Sequence, residues 1–337
     1  MMESSRFACI VGAPRCGTTS LAAFIKPHPE ICFASVKEPH FFSQYDLTEL
    51  SDDELRLRVE NHYLSRYFAH RTDKQSVLSE ASVSYLYAPE RMEPILRLWP
   101  DAKFIIAVRD PLAMLPSLHQ RLLYLGDETV TDFSQAWKLI PDRMEGRSIP
   151  RTCVDPRWLR YDQAGRLGTY VENFFNAVGR DRCMVVVFDD LIADPAAIHG
   201  QLLDFLEVAP HELPKLDARR GGKSYRIGWL QRLLKRPPIA TRALLAGEAY
   251  RQRVATPKAK GPESQIVRVI LRGRKRLLRW NKVPAMPVKL PAWLRREICN
   301  TLADEVSHLS ALIDRDLSHW LDGTPRLTFA TGSRAFA

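Results

Sequence analysis

The 337-residue chain has no apolar run approaching the ~18 residues that a membrane-spanning helix requires. Its opening "MMESSR" leads only into "FACIVGA", too short for a signal-peptide core, so a cytoplasmic protein is expected. Six cysteines (Cys9, Cys16, Cys32, Cys153, Cys183, Cys299) are scattered without a C-x-x-C pair. No histidine stands at metal-ligand spacing beside them, which points away from a zinc site and a disulfide scaffold and toward reduced thiols. No internal repeat and no low-complexity tract is present. What remains is a chain of ordinary globular composition, 45% hydrophobic and 26% charged, long enough to bury a substantial core.

Charge is unevenly placed. Between Lys215 and Arg296 there are 23 Lys+Arg against three acids (Asp217, Glu248, Glu263), while the rest of the chain carries more acids than bases. A basic segment on a mildly acidic body implies an anionic partner: a nucleotide phosphate, an acidic substrate or a membrane surface.

Three short apolar runs read as buried strands: Phe7–Val11, Lys103–Val108 and Cys183–Phe188. Val77–Leu86 is β-prone. Helical patterns follow at Thr18–Lys26, after an N-cap signal at Ser51, and at Pro89–Leu98, after Asp110, in "GRLGTYVENFFNAVG", at Asp194–Val208 and from Pro291 to about Ile313. Gly126–Tyr161 is polar and irregular and reads as a loop or lid. Alternating strands and helices predict an α/β fold, a mostly parallel sheet flanked by helices, with a basic helical C-terminal portion. One domain over 1–322, with the basic segment 215–290 inside it, and a flexible tail over 323–337 complete the expected organisation.

In such sheets ligands bind at the C-terminal strand ends. Two strand-to-helix junctions fall there. The first, "GAPRCGTTSL", is a phosphate-loop pattern with Thr18 where a nucleotide triphosphatase has lysine, and with Arg15 inside the loop. Gly12 and Gly17 would let backbone amides approach an anion at a helix N-terminus, and Thr18, Thr19 and Ser20 add hydroxyls. The bland alternative is a glycine-containing turn. At the second junction Arg109 ends a strand and Ser117 follows eight residues later. The pair could clamp another phosphate, or Arg109 could pair with Asp110.

The two motifs in this order resemble the 3′-phosphoadenosine-5′-phosphosulfate (PAPS) dependent sulfotransferases. "GAPRCGTTSL" is similar to their 5′-phosphosulfate loop and "VRDPLAMLPSL" to their 3′-phosphate motif. "KEPHFF" resembles the segment bearing the catalytic glutamate in heparan-sulfate and related bacterial carbohydrate sulfotransferases, and "LSALIDRDLSHW" the closing helix of bacterial members. The resemblance implies that Arg15, Cys16, Gly17, Thr18, Thr19 and Ser20 surround the 5′-phosphosulfate and that Arg109 and Ser117 hold the 3′-phosphate. Glu38 would be the general base, with His40 as competitor and Arg15 holding charge on the bridging oxygen. Two departures stand out. Arg15 occupies a position where many members have lysine, and Ala81 in "SEASVSYLY" replaces a second lysine of some glycan-modifying members.

The implied donor is PAPS, with no metal, and the acceptor a hydroxyl of a glycan or small metabolite, acidic or lipid-linked ones included; a phenol is less favoured. Peripheral membrane contact stays open. Two rivals remain. "CMVVVFDD" ends in Asp189 and Asp190, as a magnesium-holding strand of a P-loop kinase would. "IVRVILRGRKRLLRWNK" could bind nucleic acid or an anionic membrane, or be a packed helix with a solvated basic face.

Overall fold

A computed structural model describes residues 5–214, 222–237 and 265–322, with the side chains of 265–270 left aside. The tail 323–337 and much of the basic segment (215–221 and 238–264) lie outside the described residues.

Five strands form one parallel sheet: β1 (Arg6–Ile10), β2 (Ile31–Phe33), β3 (Val77–Ala81), β4 (Lys103–Val108) and β5 (Cys183–Val187), in the order β2-β3-β1-β4-β5. The apolar runs are continuous rather than alternating because both faces are covered. Every residue of β3 is buried, as are Phe7–Ile10 of β1 and Phe104–Val108 of β4. The strand "ICF" of β2 carries too little pattern to be read from sequence.

Helices α1 (Thr18–Ile25), α2 (Asp52–Val59), α3 (Pro111–Leu125), α4 (Leu167–Val178), α5 (Phe188–Ala193), α6 (Pro195–Leu206), α7 (Gly228–Lys235), α8 (Gln265–Asn281) and α9 (Ala292–Leu312) are the longer elements around it. Several are started by the side chains that the sequence offers. Ser51 and Glu54 form a reciprocal capping box on α2, Asp110 accepts from the Leu112 amide at 2.8 Å ahead of α3, and Asp194 accepts from Ala197 ahead of α6. Gly126 ends α3 at φ +83°.

The stretch 126–161 corrects an expectation. It holds helices at Phe133–Lys138 and Ile140–Met144 and a 3₁₀ turn at Pro156–Leu159, with Phe133, Trp137 and Leu159 buried. Polar residues meet inside it: buried Glu128 accepts from Arg143 Nη2 (2.8 Å), the Tyr161 hydroxyl (2.9 Å) and the amides of Thr129 and Val130. This is a packed block, unreadable as such because its helices span only five or six residues.

A second, two-stranded antiparallel sheet pairs β6 (Lys223–Tyr225) with β7 (Lys282–Pro284), bringing the ends of the basic segment together.

Candidate active site

The loop from Val11 to Gly17 leaves the end of β1 between its neighbours. The amides of Val11 and Ala13 donate to the carbonyls of Ile105 and Ala107 on β4 (2.9 and 2.7 Å), so the loop rides on the sheet edge. A Cβ on Gly12 would stand 2.6 Å from Leu86 Cδ2. Gly17, at φ +90°, caps α1 from the left-handed region and would meet Leu191 and Phe188 with any side chain. It supplies no side-chain acceptor at the end of α1 where the helix favours an anion.

Arg15, also left-handed at φ +70°, turns onto α3: its Nε donates to Ser117 Oγ at 2.9 Å. Arg109 Nη1 donates to the Arg15 carbonyl at 3.1 Å, and its guanidinium lies 4.2 Å from the centre of the Phe188 ring. Three residues that the sequence places at two separate junctions therefore meet. Neither arginine has a carboxylate within ion-pair distance among the described residues, and Arg109 Nε is buried without a hydrogen-bond partner there. Burial lowers the pKa of both, and Arg121 and Arg109 lower that of Arg15 further by repulsion. Two neighbouring half-buried guanidiniums in no ion pair among the described residues fit an anionic ligand.

Cys16 is fully buried, and burial pushes its thiol up to about 12, so it contributes packing rather than a thiolate. Thr18 is buried, Thr19 exposed, and the Ser20 amide closes the first turn onto the Gly17 carbonyl.

Glu38 lies near enough to Arg15 to oppose the lowering of its pKa. Lys37 Nζ stands 2.5 Å from Glu38 Oε1, and His40 Nε2 is 3.8 Å from Oε2. Burial pushes the Glu38 carboxyl up, but hydrogen bonds from His40 and Lys37 and the charge of Lys37 outweigh it and hold the carboxyl well below the usual range. Lys37 is thus a partner of the candidate base. His40 Nδ1 is 2.6 Å from Ser84 Oγ.

Both Glu38 (φ +65°) and His40 (φ +56°) are left-handed, a conformation costing about 1 kcal/mol or more at a non-glycine residue. The anchor that holds them was not recognised in the sequence. The His40 amide donates to Ser82 Oγ (2.9 Å), Ser82 donates to Glu80 Oε2 (2.7 Å), and Tyr63 and Tyr85 donate to Glu80 Oε1 (2.9 and 2.7 Å). Glu80 is wholly buried on β3, and burial raises its pKa against those hydrogen bonds. A carboxylate inside a β-prone, wholly buried strand was the available signal.

The β6/β7 sheet adjoins the loop. A Cβ on Gly222 would stand 3.9 Å from Arg15 Nη2, and Gln120 Nε2 on α3 donates to the Met286 carbonyl at 2.6 Å. Arg121 and Lys235 extend the positive field; burial, then Arg121 and the neighbouring cations, bring Lys235 down to about 8. Asp189 and Asp190 are committed elsewhere. Asp189 Oδ2 accepts from Trp320 Nε1 (3.0 Å) and lies 3.2 Å from His319 Nε2, and Asp190 is held by Arg315 (Nη2 to Oδ1 2.6 Å). Among the described residues no group of three or more His, Cys, Asp or Glu could hold a metal ion.

Comparison with known proteins agrees with this arrangement. Rat carbohydrate sulfotransferase 15 is 24% identical over 248 residues, covering 60% of this chain and 43% of that protein. Mouse heparan sulfate glucosamine 3-O-sulfotransferase 6 is 26% identical over 208 residues, 59% of this chain and 51% of the relative. The chain thus spans about half the length of these curated relatives. A sulfotransferase from Alicyclobacillus acidocaldarius has the same fold, at a TM-score of 0.60 and 23% identity over 94% of this chain and 98% of its own. The sulfotransferase family model matches residues 8–212, which contain both junctions and the "KEPHFF" segment, and the chain belongs to the sulfotransferase family.

Proposed function

We propose that this sulfotransferase takes its sulfuryl group from PAPS and passes it, by in-line transfer, to a hydroxyl of a glycan or glycan-like metabolite. The observation that carries the reading is the meeting of half-buried Arg15 and Arg109 with Ser117 at the sheet edge, Arg15 bonding Ser117 through its side chain and Arg109 through its carbonyl, with Glu38 near Arg15. The names of the curated relatives, which act on carbohydrate and heparan sulfate, support a glycan acceptor.

PAPS supplies the activated sulfuryl group; the chain supplies position and charge. Arg109 and Ser117 would hold the 3′-phosphate. The amides and hydroxyls of Cys16, Gly17, Thr18, Thr19 and Ser20, with Arg15, would hold the 5′-phosphosulfate. As the acceptor oxygen bonds to sulfur and the sulfur–oxygen bond to the phosphate breaks, negative charge moves onto the bridging oxygen. Arg15 would meet it there. Glu38 is ionised and can take the acceptor's proton. Its bond to Lys37 makes it a weak base at rest, so an acceptor that draws Lys37 away also raises its basicity.

That same bond favours a second reading in which His40 takes the proton and Glu38 orients it. Glu38→Gln and His40→Ala separate the two. With labelled sulfate from PAPS and a panel of glycan acceptors, Glu38→Gln should lower turnover about 10²- to 10⁴-fold while 3′-phosphoadenosine-5′-phosphate still binds. Unchanged turnover in Glu38→Gln with an inactive His40→Ala would move the base to His40. Failure of the wild-type chain to bind that nucleotide without magnesium would sink the donor assignment.

A further inference from the structure

The sheet, the two junctions and the Glu38 segment leave one part of the chain unexplained, the basic helices α7 and α8. Helix α8 divides into three faces. Leu271, Arg274, Leu278 and Asn281, spaced three and four apart, turn toward the body: Arg274 Nε donates to the Leu234 carbonyl (3.0 Å), and buried Asn281 bonds Ile227 and Gln231 of the α7 region. Arg272, Lys275, Arg276 and Arg279 form an exposed basic face. Between these faces runs a third row, Gly273, Leu277 and Trp280, at i, i+4 and i+7. It is apolar yet exposed, with Leu277 at 45% and Trp280 at 55%.

The row is an open depression lined by Gly273, Arg276, Leu277 and Trp280, and nothing stands within 4 Å of where a side chain on Gly273 would begin. On α7, Trp229 and Leu233, four residues apart, are likewise exposed, Trp229 at 64%. No acidic residue occurs between Glu263 and Glu297. An apolar row at the border of an arginine face, with no acid on either helix, is the pattern of a helix lying in the headgroup plane of an anionic bilayer. The aliphatic members decide against nucleic acid: base stacking rewards an exposed tryptophan but not exposed Leu277, Leu233 or Met286, whereas a bilayer rewards all of them.

We infer that the α7/α8 pair docks this chain on anionic lipid, with Leu277 and Trp280 entering the headgroup region and Arg272, Arg276 and Arg279 meeting lipid phosphates. Because β7 follows α8 directly and pairs with β6 beside Arg15, the docked surface is joined by one short sheet to the anion site.

The test is co-sedimentation of the full chain with vesicles of phosphatidylcholine alone and of phosphatidylcholine mixed with phosphatidylglycerol. Binding is expected to the mixed vesicles only, weakening as salt rises. Arg276→Ala/Arg279→Ala should lower partitioning about 25-fold, near fivefold per arginine. Leu277→Ser/Trp280→Ser should lower it about tenfold or more at unchanged charge. Both variants should keep the wild-type melting temperature and 3′-phosphoadenosine-5′-phosphate affinity, since all four side chains are exposed. No binding to mixed vesicles, or equal binding to neutral ones, overturns the proposal. So does wild-type vesicle binding by the serine variant, and its tight retention on an unrelated RNA would move the surface to nucleic acid.

Discussion

Arg143 is a buried arginine and Arg109 a half-buried one, and the protein treats them in opposite ways. Arg143 sits in the 126–161 block with its side chain 1% exposed, 2.8 Å from Glu128, whose side chain is fully buried. Arg109 sits at the C-terminal edge of the sheet, on a backbone carbonyl and an aromatic face, with another arginine for a neighbour. Each buries an Nε without a partner, so that atom does not separate them; the carboxylate does. A buried cation with its counter-charge built in belongs to the scaffold. One with carboxylates only outside ion-pair distance, as Asp110 and Asp189 are from Arg109, keeps its charge open to a ligand.

Four measurements could break that contrast. Arg143→Ala should cost about 3–5 kcal/mol of stability in denaturant melts, because it strands Glu128 as an unpaired buried charge. Arg109→Ala should do the reverse: stability unchanged or raised, and 3′-phosphoadenosine-5′-phosphate affinity by calorimetry down ~10- to 100-fold from lost charge-assisted bonds. If Arg109→Ala unfolds the chain as Arg143→Ala does, the distinction between scaffold and ligand arginines fails. Ser117→Ala, which removes a neutral partner of Arg15, should weaken nucleotide binding by up to about tenfold.

The smallest effect concerns Asp110, the acid beside Arg109. Burial pushes its carboxyl up to about 6 despite the amide of Leu112, and Asp189 adds to the rise. A folded pKa above the unfolded one means that the folded state binds the extra proton between about pH 4 and 6, so this group's contribution falls as pH rises through that window. Asp110→Asn should remove that slope, roughly 1–2 kcal/mol across the window, while keeping a capping side chain on α3. A wild-type-minus-variant stability difference that stays flat from pH 4 to 6 would show that Asp110 titrates as an exposed acid.

The sheet was legible where strands are long and buried on both faces. Lys103–Val108 matches β4 at both ends, and Asp110 and Ser51 begin their helices as their side chains require. Legibility failed where local pattern is short or where chemistry is made by tertiary contact. β2, β6 and β7 have three residues each, and the helices of 126–161 are too brief to show a period. Of the site, the two junctions were readable from glycine, arginine and serine spacing, and the Glu38 segment only through the resemblance of "KEPHFF". Arg121 was not, because a helical arginine carries no sign of what it faces. Nor was the Glu80–Ser82 anchor, since only the folded sheet brings it under His40.

The acid pair at the end of β5 ties the chain's order of synthesis to its completion. All five strands have been made by Val187, yet Asp189 and Asp190 meet their partners only when Arg315, His319 and Trp320 arrive. At ~5–20 residues per second, a ribosome takes roughly ten seconds to cover that interval. The segment Arg315–Trp320 therefore closes over an acid pair made more than a hundred residues earlier.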